Sequence, residues 1–580
     1  MIVASIVKPS FYQDSLTLLR LARDLKSRAG VDEATALMAT PANRQLLADA
    51  GLLTREAEAA GPNDLVIAVR AEGDPAAADA LGRAEGFFTE SRRTLETAVR
   101  VLPRTLDSAL RHLPKANVAL ISVPGAWAAA EARQALRRGL HVMLWSDNVP
   151  LEDEVALKRD GVARGRLLMG PDCGTAIVNG VGLGFANAVP RGAIGLVAAS
   201  GTGLQQVATL LANRGEGVSH AIGVGGRDGG GEVDGLMTLA ALDALAADPR
   251  TEVVVVVGKP PASGVRRRVE DRAREIGVPC VLALLGPDVR PARDGAMITV
   301  ATLEDAAAAA VALRRGAPWA PTAFTGPREK VDAQAGALRA RLGPGRRRIL
   351  GLYSGGTLAH EAGLVLAGVA GVEIVDLGAD EYTVNRPHPM LDAGLRAERV
   401  AAAAREPDLA VLLIDVVLGH GVAPDPAGDL ASAIADVARR AAVVASVVGT
   451  DADPQDLAGQ VAVLETAGAW VLPSNAQAAR AAALIAGATI PEPAPVIDEK
   501  NASAPAGDRG NASAPSRRAV AAGDGMADLL RSDIAVVNLG LQAFALDLAG
   551  RGVPVVHVAW SPPAGGDARL ASLLARLEDG

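Results

Sequence analysis

The chain has 580 residues, which is too long for one hydrophobic core and predicts roughly three to five domains. Hydrophobic residues make up 49% of the sequence and aromatic residues only 2%, so we expect cores packed from alanine, valine and leucine. The net charge of −8 is spread without a basic stripe, which argues against nucleic acid as a partner.

The cysteines and the apolar runs indicate where the protein resides. Cys173 and Cys280 lie far apart and match neither a CxxC motif nor a zinc-binding pattern, which favours a reducing compartment. Residues 1–8 read as a strand and not as a signal peptide, and apolar runs such as 253–257 are far too short to cross a membrane. We therefore expect a cytoplasmic protein without a membrane partner.

Strand-like apolar runs alternate with helical stretches through most of the chain, which predicts an α/β fold of parallel sheets with crossover helices. Residues 491–525 contain the segment Asn-Ala-Ser-Ala-Pro twice and are predicted to form a flexible linker to a separately mobile tail. The predicted domains are a small α/β module at 1–104, units at 105–190, 191–320 and 330–490, the linker at 491–525, and the tail at 526–580.

Glycine and hydroxyl residues collect where predicted strands end and helices begin. Free backbone N–H groups at such helix starts bind phosphate, although an ordinary capped turn or a loose surface loop explains the same pattern. The candidate phosphate-binding residues are Ser200, Gly201, Thr202, Gly223, Gly225, Gly226, Ser354, Gly355, Gly356 and Thr357.

Familiar catalytic motifs are missing: the sequence has no Walker lysine, no HExxH and no GxSxG. Three histidines, His112, His141 and His557, lie in or beside apolar runs and are interpreted as structural. The acidic residues Asp376, Asp380 and Glu381 follow a predicted strand; they are candidates for Mg²⁺ or, alternatively, for solvated surface acids.

Residues 105–315 resemble the α subunit of succinyl-CoA synthetase in four loops, at 121–126, 169–174, 200–202 and 223–226, with matching order and spacing. Residues 345–490 resemble the ligase domain of the β subunit. The resemblance implies a Rossmann-like CoA-binding domain followed by two flavodoxin-like domains. It also implies CoA-binding loops at Val123, Pro124, Gly170, Pro171, Asp172 and Cys173.

One departure from that family concerns its chemistry. The phosphohistidine of the family lies in a Gly-His-Ala-Gly-Ala segment, and residues 290–296 at that place contain no histidine. A phosphoryl relay needs a nucleophilic imidazole, which arginine and aspartate cannot replace. By local pattern, His420 between two glycines is the candidate substitute, and no ATP-grasp module is recognisable.

The chain as a whole is identified as a member of the FdrA family over about residues 1–490, on the segments 12–15, 170–174, 353–357, 385–390 and 415–425. This family is commonly described as acyl-CoA synthetases. It is also linked to oxamate carbamoyltransferase, which converts oxalurate and phosphate to oxamate and carbamoyl phosphate in allantoin breakdown, with two partner proteins. Residues 534–566 resemble the start of such a partner.

Three functions remain open. The first is a carbamoyltransferase subunit, because carbamoyl phosphate needs phosphate-binding loops but no phosphohistidine. The second is an ADP-forming acyl-CoA ligase, with succinate as one acid, and the third is a non-catalytic scaffold that binds CoA or a nucleotide. In each case we expect a hetero-oligomer with the products of neighbouring genes and small anionic substrates.

Overall fold

The computed structural model describes residues 1–99, 101–383, 387–498, 524–566 and 570. It divides into two compact units, Met1–Leu140 with Ala535–Gly580, and His141–Ile534. The predicted multidomain α/β class with parallel sheets is confirmed. The division does not coincide with the predicted boundaries at 104, 190, 320 and 490, which stay predictions. Among the described residues, no helix is both long and apolar enough to cross a bilayer.

The first unit begins with a three-stranded antiparallel sheet of order β1-β3-β2, which corrects the expectation of a parallel arrangement there. The first two strands run in the same direction, but the third lies between them and is antiparallel to both. The alternation of strands and helices along the chain does not reveal this order of strands in the sheet. The elements are β1 (Ile2–Lys8), α1 (Ser15–Lys26), β2 (Val31–Met38), α2 (Pro41–Asp49), α3 (Arg55–Ala59), β3 (Leu65–Ala71) and α4 (Asp74–Val99).

The same unit contains a parallel sheet in which the C-terminal segment takes part. Its elements are α5 (Leu106–His112), β4 (Val118–Ile121), α6 (Gly125–Arg137), β21 (Val536–Leu539), α20 (Gln542–Gly550), β22 (Val555–Val558) and a 3₁₀ turn (Pro563–Gly566). All four residues of β21 are buried between β4 and β22. The Leu541 N–H donates to Ser122 Oγ at 2.8 Å, across 419 positions of sequence.

The expected separately mobile tail is therefore wrong for residues 535–566, because a buried central strand cannot leave its sheet without exposing its neighbours. A pairing over such a sequence distance leaves no local signal. Most of the predicted linker, residues 499–523, and residues 567–569 and 571–580 of the tail lie outside the described residues.

The second unit contains a nine-stranded sheet of order β20-β13-β14-β12-β11-β9-β10-β7-β8, parallel from β14 through β10. Ile497 and Asp498, which lie within the predicted linker 491–525, form a short strand that pairs with β13. The elements are β5 (His141–Leu144), α7 (Leu151–Ala163), β6 (Leu168–Met169), β7 (Thr175–Val178), β8 (Val181–Gly184), β9 (Arg191–Ala198), α8 (Gly201–Asn213), β10 (Val218–Gly223), α9 (Leu236–Ala247), β11 (Val253–Gly258), α10 (Ser263–Glu275), β12 (Cys280–Leu284), β13 (Ala292–Asp294), β14 (Met297–Thr299), α11 (Leu303–Arg315) and β20 (Ile497–Asp498).

A five-stranded, fully parallel sheet of order β16-β15-β17-β18-β19 completes this unit. Every residue of its central strand is buried, as expected for a parallel strand covered on both faces. Its elements are α12 (Arg328–Ala340), β15 (Arg348–Tyr353), α13 (Gly356–Val365), β16 (Val372–Asp376), α14 (Asp380–Thr383), α15 (Gly394–Ala403), β17 (Leu409–Val417), α16 (Gly428–Ala438), β18 (Ala442–Val448), α17 (Leu457–Thr466), β19 (Ala469–Leu472) and α18 (Asn475–Ala486). The last helix of the unit, α19 (Asp524–Arg531), packs against α9.

Buried polar contacts join the elements of these two sheets. The Glu361 carboxylate accepts hydrogen bonds from the Leu303 N–H at 2.7 Å and from Asn475 Nδ2 at 2.8 Å. The Glu304 carboxylate accepts from Ser474 Oγ at 2.8 Å. These bonds hold α11, α13 and α18 together, and so fix how the carboxyl ends of the two sheets meet.

Candidate functional site

Two strand-to-helix turns of the second unit meet at the starts of α8 and α13. Ser200 caps α8 by accepting the Gly203 N–H at 2.8 Å, and its hydroxyl donates to Thr357 Oγ1 at 2.6 Å. A Cβ placed on Gly355 would lie 2.9 Å from the Thr202 side chain. We call residues 200–203 and 354–357 the paired helix starts.

The paired helix starts offer unused hydrogen-bond donors. Within the described part of the chain, the backbone N–H groups of Gly201, Thr202, Gly356 and Thr357 have no hydrogen-bond acceptor. Because the first N–H groups of a helix carry the positive end of its dipole, two helices that begin side by side reinforce each other. This arrangement suits an anion such as a phosphate group.

A buried ion pair shapes the second of these turns. The Asp415 carboxylate accepts from the Ser354 N–H at 2.8 Å, Ser354 Oγ at 2.9 Å and the Gly355 N–H at 2.9 Å. Arg396 Nη2 donates to the same carboxylate at 2.7 Å, and both charged side chains are buried. The Ser354 and Gly355 N–H groups are thus already satisfied, which leaves those of Gly356 and Thr357 for a ligand.

The glycine-rich turn at 223–226 packs against the loop at 170–173. A Cβ on Gly223 would lie 2.5 Å from Cys173 Sγ, and one on Gly225, whose φ is +86°, would lie 2.3 Å from the Pro171 carbonyl oxygen. The structure therefore gives these two glycines a packing role. A phosphate contact at Gly223, Gly225 or Gly226 stays a prediction, as does CoA binding by the loop at Gly170, Pro171, Asp172 and Cys173.

A buried cluster of charges orders the segment that follows. Lys158 Nζ donates to Glu154 Oε1 at 2.8 Å, to the Val224 carbonyl at 2.9 Å and to Asp228 Oδ1 at 2.9 Å. All three charged side chains are fully buried, and Asp228 also accepts the Thr238 N–H. A buried ion cluster held by this many bonds rules out a loose surface loop at residues 224–228.

His388 borders the start of α13, a position that the sequence analysis did not assign to the site. Its Nδ1 accepts the Met390 N–H at 3.2 Å, and its ring lies 5.8 Å from that of Phe185. A Cβ on Gly378 would lie 2.9 Å from His388 Nε2. Removal from solvent lowers the pKa of His388 to about 4, which the Asp415 charge partly offsets.

Asp376 and Lys259 lie at the same edge. A Cβ on Gly356 would lie 2.5 Å from Asp376 Oδ2, so this carboxylate borders the start of α13. Burial raises the pKa of Asp376, while the Gly378 N–H and the Lys259 charge act in the opposite direction. Lys259 directly follows β11, and its neighbour Gly258 lies beside Ala199 of the first turn.

The remaining predicted residues lie elsewhere. His420 is half-buried, and its N–H donates to the Ala186 carbonyl at 2.8 Å. Residues 292–299, within and after the segment that lacks the phosphohistidine, form the β13–β14 hairpin. Val123 and Pro124 stand at the start of α6 in the first unit.

The described residues show no group of three His, Cys, Asp or Glu side chains that could hold a metal ion. The structure therefore gives no support for Mg²⁺ at Asp376, Asp380 and Glu381.

Comparison with family models gives two matches. Residues 1–100 match the model described as "AllF, heavy metal-associated domain", and residues 352–485 match the model described as "CoA-ligase". Residues 1–100 contain neither cysteine nor histidine, so they lack the thiolate and imidazole groups that bind most transition-metal ions.

Comparison with individual proteins extends over most of the chain. The chain is 37% identical to the uncharacterized protein YahF of Escherichia coli over 504 residues, which are 82% of this chain and 97% of YahF. It is 29% identical to the α subunit of the ADP-forming succinate–CoA ligase of Aquifex aeolicus, over 32% of this chain and 62% of that subunit.

Among solved structures, an acetyl-coenzyme A synthetase of Ca. Korarchaeum cryptofilum, in complex with phosphate and ADP, is 18% identical. The match covers 64% of this chain and 82% of that one, with a TM-score of 0.24, which is too low to carry an argument. The sequence matches are the stronger finding: this chain belongs to the YahF family, which is related to the α subunits of succinate–CoA ligases, and it carries a CoA-ligase domain.

Proposed function

We propose that the paired helix starts bind the phosphate end of an acyl phosphate, and that the chain acts in acyl transfer of the CoA-ligase type. The observation that supports this most strongly is the hydrogen bond between Ser200 and Thr357, which places two helix starts with free N–H groups next to each other. The CoA-ligase match over residues 352–485 supports the same class of reaction.

The proposed reaction needs no phosphohistidine. A thiol sulfur, which in this family would be that of CoA, attacks the carbonyl carbon of the acyl phosphate, and the thiol proton passes to the leaving phosphate. The bond from that carbon to the phosphate oxygen breaks, and the phosphate leaves with the electron pair. The helix starts stabilise the charge on the leaving phosphate, in the manner of preorganised donors at other group-transfer sites.

The side chains around the helix starts have separate tasks in this proposal. Thr202 and Thr357 add hydroxyl groups to the N–H donors, and Lys259 adds a positive charge at the same edge. Asp415 and Arg396 hold the second turn in place without contacting the phosphate.

Carbamoyl transfer is the second candidate, and one observation favours it. The segment at 290–296 lacks a histidine and contributes to the β13–β14 hairpin, so no phosphoryl carrier stands where the ligase family has one. Carbamoyl phosphate is itself an acyl phosphate, and oxamate nitrogen would replace the thiol as the attacking group. Membership of the FdrA family, a cytoplasmic location and assembly with neighbouring gene products belong to this proposal.

The test is to incubate the purified chain, alone and with its neighbouring gene products, with two donor and acceptor pairs. One pair is acetyl phosphate with CoA, followed by thioester formation, and the other is carbamoyl phosphate with oxamate, followed by oxalurate formation. We expect turnover of one pair that Ser200→Ala reduces at least about tenfold, since one tenfold step is about 1.4 kcal/mol. CoA or nucleotide binding without any turnover would instead support the non-catalytic scaffold.

A further inference from the structure

We propose that His388 donates a hydrogen bond from Nε2–H to the carbonyl oxygen of the acyl group whose phosphate occupies the paired helix starts. This inference rests on the proposed function, because it names the group that contacts the acyl end of the same substrate. It assigns His388 the role of a neutral donor and not that of a phosphoryl carrier.

The hydrogen bonds of the ring determine which nitrogen carries the proton. Nδ1 accepts the Met390 N–H at 3.2 Å, so its lone pair is in use and the neutral ring carries its proton on Nε2. The lowered pKa, about 4, agrees with a neutral ring near pH 7. In this tautomer Nε2 has no lone pair with which to attack phosphorus.

The surroundings of Nε2 leave this donor available. Among the described residues Nε2 forms no hydrogen bond, and a Cβ on Gly378 would come within 2.9 Å of it. Because glycine stands there, the space in front of the ring stays open. The Phe185 ring, 5.8 Å away, limits rotation of the imidazole.

A chain of contacts through Gly378 and Asp376 links Nε2 to the proposed phosphate position. The Cβ position of Gly378 that is 2.9 Å from Nε2 is 3.2 Å from Asp376 Oδ1, and Asp376 Oδ2 is 2.5 Å from the Cβ position of Gly356. The same Cβ position is 2.7 Å from the Ser354 carbonyl oxygen, so Gly378 lies between His388 and the turn that precedes α13, with the Asp376 carboxylate next to both. An acyl group linked to a phosphate at the helix start has its carbonyl within a few bonds of that phosphate.

An uncharged donor suits the electronic change at the carbonyl. When the thiol or amine adds to the carbonyl carbon, the C=O electron pair moves onto oxygen, and the Nε2–H bond to that oxygen strengthens. When the phosphate leaves, the pair returns and the C=O bond re-forms. His388 keeps its proton throughout, so no acid or base partner for it is needed.

Two substitutions at one position separate the donor from the rest of the ring. In His388→Asn the side chain keeps a polar group near Nδ1 but loses the donor at Nε2, whereas in His388→Gln an amide N–H stands near the Nε2 position. His112→Asn, at an exposed position in the first unit, is the matched control. Turnover of acetyl phosphate with CoA, or of carbamoyl phosphate with oxamate, is measured beside the inhibition constant of inorganic phosphate.

We expect His388→Asn to lower kcat about 100-fold or more, as loss of one such donor does elsewhere, with the phosphate inhibition constant within about twofold. His388→Gln should recover part of kcat, and His112→Asn should match the wild type. The inference is overturned if His388→Asn keeps kcat within about threefold of wild type, or if Asn and Gln are equally impaired.

A second readout separates this inference from the proposed function. With ¹⁵N-labelled histidine, the Nε2 resonance of His388, assigned by its loss in His388→Asn, should move on addition of acetyl phosphate and much less with inorganic phosphate. If the wild type shows no turnover, the proposed function fails, while this shift still supports the donor role. An Nε2 resonance that ignores acetyl phosphate at saturation overturns the inference.

Discussion

Replacing Asp415 with asparagine tests the buried ion pair that shapes the second helix start. Asparagine has the same size but no charge, so the buried guanidinium of Arg396 loses its counterion and keeps hydrogen bonds to uncharged oxygens, those of the Leu352 and Asp415 carbonyl groups and the remaining side-chain oxygen. One side-chain oxygen becomes an NH₂ group, which cannot accept hydrogen bonds from Ser354 or Gly355.

The expected cost follows from these contacts. Removing one partner of a buried ion pair costs about 3–5 kcal/mol, because the remaining charge is left in a medium that solvates it poorly. We therefore expect the apparent free energy of unfolding of the second unit to fall by about 3–5 kcal/mol. The control is Asp436→Asn, whose exposed pair with Arg439 is worth about 0–1 kcal/mol.

Denaturant unfolding of the wild type and both variants measures the cost, and hydrogen exchange of the peptide around residues 352–358 locates it. The Ser354 and Gly355 amides should lose protection in Asp415→Asn and keep it in Asp436→Asn. An Asp415→Asn protein within about 1 kcal/mol of the wild type, with unchanged exchange at these amides, would refute the reasoning.

Three further predictions concern other parts of the second unit. Burial raises the pKa of Glu361 from 4.5 to about 7, so between these values the folded chain holds a proton that the unfolded chain has released. The stability contributed by this group should fall by about 3 kcal/mol as pH rises from about 4.5 to about 7, and in pH-dependent denaturation Glu361→Gln should show a slope smaller by that amount than the wild type. Ser200→Ala removes the cap of α8 and the hydrogen bond to Thr357, so calorimetric titration should show weaker phosphate binding. Thermal unfolding should show a loss of stability of about 0.5–2 kcal/mol. An unchanged phosphate affinity would argue against a binding site at the paired helix starts. Gly225→Ala requires a Cβ at φ +86° within 2.3 Å of the Pro171 oxygen, so its melting temperature should fall, and a wild-type value would contradict the packing role.

Local sequence signals predicted the elements of the site better than its assembly. The turns at 200–203 and 354–357 were found because glycine and hydroxyl residues follow apolar strands, and carboxyl ends of parallel strands share one edge of a sheet. That the edges of two different sheets face each other depends on buried bonds such as Ser474 to Glu304, which join residues 170 positions apart. No local pattern contains that information.

Asp415 and His388 were not predicted as site residues for the same reason: their contacts are with residues distant along the chain. Asp415 lies 61 positions after Ser354, within the segment 415–425, in which only His420 had been considered for the site. His388 likewise belonged to a segment quoted for resemblance, and residues 385 and 386 of that segment lie outside the described residues. An aspartate within a strand of otherwise apolar residues was the one available signal, because a buried charge requires partners.

The incorrect expectations concern strand order and the C-terminal segment. Alternating strands and helices suggested a parallel sheet at the N-terminus, whereas β3 inserts antiparallel between β1 and β2. The change of composition near residue 500 suggested a detached tail, whereas β21 is a buried central strand. In both cases the deciding contacts join strands that are distant along the chain.

The central claim, that a phosphate group binds at the paired helix starts, is tested most directly by a crystal structure of the chain with inorganic phosphate. The account predicts tetrahedral density within hydrogen-bond distance of the Thr202 and Thr357 N–H groups, and loss of that density in Ser200→Ala crystals grown in the same way. Phosphate bound instead at the turn formed by residues 223–226, with only water at the paired helix starts, would contradict it.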